Sequence, residues 1–518
     1  MTSGSSTIKL GFVDKNENNL NYGLNDNEED QDNSKISIKH FINNDEKKQE
    51  SEETQNTREY SNSNPRMTEI RKFEERQKLG VLSQLFGKFE KGSLRMAVIN
   101  WMRFTIGCGV FCLPQLFQRT GIPMALVLLT FAIVASYMSF RFIFQASVAA
   151  NLKDYKQLVL HYLPKVHGSI FSVTLSIDYL SSFVIYSCVS WQLFTTIYDI
   201  FIPFSDDKFD KKKPIKDRVL DQYHPTIFLM RAGYFVVIFL LMIGLLLKKS
   251  LESLKFLSIM YLGVLLSIIA FIFCQLPSYY SHFQKEKKEE IVNVEEESDL
   301  KMILTFFTFL LTFYVQPFVL SIRNDVLLPT FDRLNKVTYY SCIFEYIIYA
   351  VFGVSCAIVI GTNIKEIILF RDPIDRDNIG IIDRCYQVLQ VLFCVLITLG
   401  MASFNPTFRS YLETMITFKN KALGYKVLSL VPIIIGMGIA VVYPMVLDIF
   451  GILGVTISNY NGFILPVAMK IKLAQIERAS AFKIFLLRLL LAFYVIIGLI
   501  IGSYVAVESV SSNITNAY

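Results

Sequence analysis

Charged side chains are scarce in this chain. Of 518 residues only 19% are Asp, Glu, Lys or Arg, while 52% are hydrophobic and 14% aromatic; a soluble domain carries about 25% charge. Histidine is scarcer still. The five, His40, His161, His167, His224 and His282, fall in tails, loops or span ends, with no His/Glu or Cys/His spacing that would hold a metal. The eight cysteines lie within or at the edges of apolar runs, so no disulfide framework is implied. No glycine loop is followed by the lysine that would cradle a nucleotide phosphate. Basic runs such as Lys211 to Lys213 are interleaved with acids, unlike a nucleic-acid surface. An enzyme, an ATP-driven pump, a cofactor or metal site and a nucleic-acid partner are therefore not expected.

What the chain has instead is long apolar runs. Eleven of them reach the length of about 20 residues that crosses a hydrocarbon core of about 30 Å: 96–118, 124–147, 169–199, 226–247, 255–276, 302–322, 338–361, 384–407, 427–446, 449–470 and 482–505. Strands of a barrel need only about 10 residues and alternate in polarity. The expected class is an all-α polytopic membrane protein with eleven transmembrane helices, embedded in a lipid bilayer.

The first 65 residues are of another kind. They carry 13 acidic against 7 basic side chains and 12 asparagines, and without a periodic apolar face they cannot offset chain entropy by burial. Residues 1–65 are expected to be a disordered cytoplasmic tail, a place where a protein partner could dock. Residues 66–95 reverse the sign, with 8 basic against 4 acidic residues, and form a basic juxtamembrane segment. Lys and Arg in the 248–255, 409–426 and 470–483 loops then mark the cytoplasmic side. Eleven crossings leave residues 506–518 extracellular or lumenal.

Within the first run, NWMRFTIGCGVFCLP (Asn100 to Pro114) holds what a spanning helix should avoid. Gly107 and Gly109 weaken a helix, and Pro114 cannot donate its backbone bond. Irregular backbone at membrane depth is tolerated where it lines a cavity. Thr105 and Ile106 would end a first half-helix whose free carbonyls face a cation. Gly107, Cys108, Gly109 and Val110 would begin a second, whose free N–H groups suit a carboxylate. A glycine pair also serves close helix packing, so a second break matters. The sixth run supplies it at Gln316-Pro317. Runs one and six head two successive groups of five. That is the spacing of two inverted five-helix repeats, here 96–276 and 302–470, with 482–505 as an eleventh helix.

These residues resemble the amino acid/auxin permease family, within the amino acid–polyamine–organocation superfamily of transporters. The likeness rests on Asn100, Gly107-x-Gly109-x-x-x-x-Pro114 and Gly121, then DYKQLVLHYLPKVHG (Asp154 to Gly168) and KKSLESLKFLSI (Lys248 to Ile259). It continues through FYVQPFVLSIRNDVLLP (Phe313 to Pro329), NPTFRSYLE (Asn405 to Glu413) and PMVLDIFGILGVTISNYNGFILP (Pro444 to Pro466). The resemblance implies amino acid substrates, transport by alternating access, and a plasma-membrane or vacuolar/lysosomal-type location. It also implies a side-chain pocket formed by Phe313, Tyr314 and Gln316 with Tyr186 of the third span.

Ionisable groups inside spans are costly and mark function. Arg103, Asp178 and Glu345 are the candidates, and an Arg103 ion pair with either acid would neutralise both; alternatively the acids bond to tyrosines such as Tyr179 or Tyr346. Arg231 and Arg488 are expected to snorkel. In sodium-coupled relatives a cation sits between the first half-helix and hydroxyls of the eighth span, for which Thr398 and Ser403 are the matches. Arg103 places a permanent charge near that spot, and two unit charges about 5 Å apart repel by roughly 3 kcal/mol even at an effective dielectric of about 20. Sodium independence is expected, with facilitated transport or symport of protons carried by Glu345 or Asp178. The alternative is a transport-inactive nutrient sensor or structural membrane subunit.

Overall fold

The computed structural model describes residues 93–201, 225–247, 255–286, 299–326, 329–360, 367–370, 381–413, 415–416 and 418–515. The tail 1–65 and nearly all of the basic segment 66–95 lie outside the described residues, as do residues 248–254 and parts of the 200–225, 277–300 and 362–383 loops.

Every described element is a helix. Ser93 starts the first, its hydroxyl accepting the Met96 N–H at 3.2 Å, a side-chain cap on an otherwise orphaned donor. α1 runs Leu94–Thr105, a 3₁₀ turn follows at Cys108–Cys112, and α2 is Leu113–Thr120. Gly121, at φ 75° and ψ 144°, occupies backbone space that side chains avoid and turns the chain directly into α3 (Ile122–Ala150). α4 (Tyr155–Tyr162) is short and begins at Asp154, whose carboxylate accepts the Gln157 N–H at 2.8 Å. α5 (Lys165–Phe201), α6 (Pro225–Leu246) and α7 (Lys255–Glu286) complete the first half.

The second half opens with α8 (Asp299–Thr312), a 3₁₀ turn at Gln316–Phe318 and α9 (Val319–Asp325). α10 (Phe331–Ile360), α11 (Ile381–Glu413) and α12 (Lys421–Val442) follow. The next crossing is α13 (Val446–Leu453), two π-helical segments at Gly454–Ser458 and Tyr460–Ile464, and α14 (Leu465–Ile476). The last is α15 (Ala481–Phe493), a π-helical Tyr494–Gly502 and α16 (Ser503–Thr515).

Ten of these crossings are long and apolar enough to traverse a bilayer. The first run, expected to be an eleventh, is cut into α1 and α2, each shorter than a bilayer is thick. Several helices outrun the apolar stretch that announced them, as in Val446–Ile476 against 449–470, because hydrogen bonding continues into polar flanks where hydropathy stops. Burial separates centre from edge: the best apolar window of Val446–Ile476 is 78% buried, and that of Ala481–Ser511 only 17%. The core therefore gathers around the broken spans, with α5 against α11 and α12, and α10 against α2 and α3.

Candidate functional site

The first span breaks where the glycines stand. The last bond of α1 is Ile106 N–H to Met102 O at 2.9 Å; the backbone then extends through Ile106 (φ −75°, ψ 94°) and Gly107 (φ −114°, ψ −167°). Neither angle demands glycine. Nor does space exclude a Cβ, which at Gly107 would meet nothing within 4 Å and at Gly109 would sit 3.8 Å from Thr312 Cγ2 and 4.0 Å from Phe450 Cζ; the glycines leave that space open. Cys108 and Gly109 open a new helical segment, so their N–H groups lack intrahelical partners. Val110 is buried and donates to Gly107 O at 3.3 Å.

The sixth span breaks between Thr312 and Gln316, with Val315 at φ −142°, ψ 8°. Thr312 is the residue that Gly109 faces, so the two breaks meet. One side chain joins them. Tyr349 of α10 points its hydroxyl at the last carbonyls of both first half-helices, 3.3 Å from Thr105 O and 3.4 Å from Thr312 O. Phe313 is fully buried and its ring lies 5.1 Å from that of Tyr349. One turn earlier on α10, Glu345 is also fully buried. Its Oε1 accepts from the Thr105 hydroxyl, the Trp101 indole lies beside the carboxyl, and Oε2 has no hydrogen-bond partner among the described residues. Two carbonyl-rich helix ends and a carboxyl thus converge on one spot, which favours a cation or a proton there.

A second polar cluster lies beside the first. Tyr314, next along from Phe313, turns its hydroxyl toward Asp178 of α5 and Asn461 of the π-helical turn, without closing a hydrogen bond of ordinary geometry among the described residues. Asn461 is held from three elements: its Oδ1 accepts from Thr174 at 2.7 Å, its carbonyl accepts from Tyr155 at 2.7 Å, and Gly462 O accepts from Ser139. Burial pushes the Tyr155 hydroxyl well above its ordinary range, so it stays a donor. Gln316 is fully buried; its Oε1 takes the Val315 N–H at 3.0 Å and its Nε2 is without a hydrogen-bond partner among the described residues. A side chain at Gly462 would press on Tyr314 at 3.1 Å and Gln316 at 3.2 Å. The π-helical turn, a form that recurs at functional sites, is what aims Asn461 here.

The other sequence candidates spread out from these clusters. Tyr186 is half-buried on α5 against Gly400 of α11. Thr398 lies on the same helix, its hydroxyl 3.1 Å from Ser190 Oγ and 2.8 Å from Cys394 O. Arg103 and Ser403 lie in α1 and α11, and Cys108 heads the 3₁₀ turn, their side chains outside the described residues. Tyr346 bonds to Thr130 at 3.0 Å, while Tyr179 stacks on Phe408 and also lies within electrostatic reach of Asp178. Arg231, expected to snorkel, is fully buried, on the inward face of a helix that is otherwise largely exposed, only 22% of its best apolar window being buried. At the far end of the sixth span Arg323 closes on the C-terminus of α3: Nη1 reaches Ser147 O at 3.0 Å, Ser147 Oγ at 2.6 Å and Leu152 O, and Nη2 reaches Asn151 Oδ1 at 3.2 Å. A guanidinium suits a helix's carbonyl end.

Tyr349, Asn461, Thr174 and Tyr155 were not among the sequence candidates. The four-residue spacing of Glu345 and Tyr349, which puts both on one helix face, was a legible signal, as were two asparagines within an apolar crossing.

A family profile described as transmembrane amino acid transporter protein matches residues 90–511. A Plasmodium falciparum (isolate 3D7) protein named "Putative amino acid transporter AAT1" is 22% identical over 347 residues, 66% of this chain and 52% of that protein. The match spans about half the length of that relative.

Proposed function

The chain belongs to the transmembrane amino acid transporter family, and from that premise we propose that it is a sodium-independent secondary transporter of amino acids working by alternating access. The observation that carries the reading is the meeting of two broken spans, Gly109 against Thr312, under the single hydroxyl of Tyr349. Backbone N–H groups at Gly107, Cys108 and Gly109 take the substrate carboxylate, with that of Val110 engaged by Gly107 O. Its amino group faces the carbonyl ends at Thr105, Ile106 and Thr312. Phe313, Tyr314, Gln316 and Tyr186 bound the side chain. The layout is that of eleven crossings in two inverted five-helix repeats plus one, N-terminus cytoplasmic.

Coupling runs through protons or not at all. Glu345, fully buried, with one oxygen bonded by Thr105 and the other free of hydrogen bonds among the described residues, is a better proton carrier than the half-buried Asp178. The Thr398 hydroxyl is engaged by Ser190 and Cys394, which leaves it poorly free for sodium. Uptake of radiolabelled amino acid into proteoliposomes should be unchanged when sodium is replaced by N-methylglucamine at constant pH and membrane potential. Uptake that requires sodium would overturn this coupling. Should an inward proton gradient stimulate uptake, Glu345→Gln should remove the stimulation.

A further inference from the structure

We propose that the groove between α3, α14 and α15 is a binding site for one anionic phospholipid of the cytoplasmic leaflet. The groove has a volume of about 520 Å³ and its walls are almost wholly apolar. Met138 and Phe142 line it from α3, Phe463 and Val467 from Val446–Ile476, and Leu490 and Ile497 from Ala481–Ser511. Ser139 and Tyr494 line it too, but the Ser139 hydroxyl is turned to Gly462 O, so the groove offers acyl chains little competing polar surface.

The cationic end identifies the occupant. Each wall continues, on the same helical face, into a basic residue: Met138 to Arg141 is three positions, Val467 to Lys470 three, and Lys483 to Leu490 seven. Arg141 and Lys483 bring like charge to Lys470, which is 6% exposed and has one carboxylate, Glu477, at 3.7 Å. Arg141 lies 5.6 Å over the Tyr137 ring and 5.8 Å over Phe331, and its Nε is buried with no hydrogen-bond partner among the described residues. Three cations against one acid at the mouth of an apolar slot match a phosphate headgroup above hydrocarbon chains, and basic pockets between spans on the cytoplasmic side bind such lipids. A neutral lipid would fill the groove but leave that charge unanswered. The Ser139 bond to Gly462 connects this site to the turn carrying Asn461, so occupancy bears on the transport centre without forming part of it.

The test uses the full-length protein in detergent, with phosphatidylserine and phosphatidylcholine of identical chains compared by native mass spectrometry. Wild-type protein should retain phosphatidylserine roughly tenfold over phosphatidylcholine. Lys483→Gln, at an exposed side chain, should cut that preference, and Arg141→Gln with it should abolish the preference while leaving phosphatidylcholine retention unchanged. Ala135→Phe, which fills the groove, should weaken both lipids alike. Equal retention of the two lipids by wild type, or a preference untouched by the charge changes, would overturn the proposal. So would glycerol phosphate displacing bound lipid as readily as phosphatidylserine does, since the site would then hold a bare anion. If Arg141→Gln fails to fold, the wild-type comparison and Lys483→Gln alone decide the matter.

Discussion

At the scale of single residues, Tyr349 is the most consequential group on α10. A phenol carries one proton, so it donates to Thr105 O or to Thr312 O at a given moment, and both carbonyls belong to helix ends that end inside the bundle. Such groups are costly if buried unmet. A hydrogen bond of this kind is worth about 1 kcal/mol net, and alternating access requires the two half-helices to part. Tyr349→Phe should therefore alter the rate of uptake by about fivefold, the factor that 1 kcal/mol represents, with only a small fall in thermal stability. Equal rates in wild type and variant, measured as initial uptake at saturating substrate, would count against the tie. Glu345 was legible in the sequence as a lone acid in an apolar run. Its partner was not, because Thr105 lies 240 positions away and no local pattern joins them. The same holds in part for Asp178: the neighbouring Tyr179 lies within its reach as expected, but the approach of Tyr314 from another span had no local signal.

At the scale of elements, both breaks were foreseeable from Gly107, Gly109 and Gln316-Pro317, since each weakens a helix by composition alone. The π-helical turns within Val446–Ile476 and Ala481–Ser511 were not. They arise from packing: Asn459 Nδ2 donates to Tyr494 O at 2.8 Å, and that carbonyl belongs to the first residue of the π-helical stretch within Ala481–Ser511. Gly454 fixes the approach of Val446–Ile476 to the sixth span. A Cβ there would lie 2.5 Å from Phe307 O and 2.8 Å from its carbonyl carbon, and backbone cannot swing aside as a side chain does. Overpacking of this sort costs about 1–3 kcal/mol. Gly454→Ala should lower the unfolding midpoint in detergent, whereas Gly233→Ala, where a Cβ meets nothing within 4 Å, should not. Equal midpoints for the two variants would show that the crossings have slack between them.

At the scale of the whole molecule, composition announced the membrane and run lengths announced the crossings, since both depend on the bilayer more than on the fold. Which crossing is central was less visible. Val446–Ile476 is the most enclosed of the ten, yet its hydropathy, 1.3, is the lowest of them, while the exposed Ala481–Ser511 has the highest, 2.8. Lipid selects for apolar side chains, and a bundle interior that houses polar clusters does not. The central claim is that substrate passes between the two broken spans, and Gly109 is the position that tests it. A single Cβ fits there, 3.8 Å from Thr312, but branching methyls would enter the gap between the breaks. The measurement is initial uptake of radiolabelled amino acids into proteoliposomes by wild type, Gly109→Ala and Gly109→Val, each shown to be folded by its unfolding midpoint. The account predicts sodium-free uptake by wild type and Gly109→Ala and none by Gly109→Val; uptake by folded Gly109→Val at the wild-type rate, or none of any amino acid by folded wild type, would contradict it.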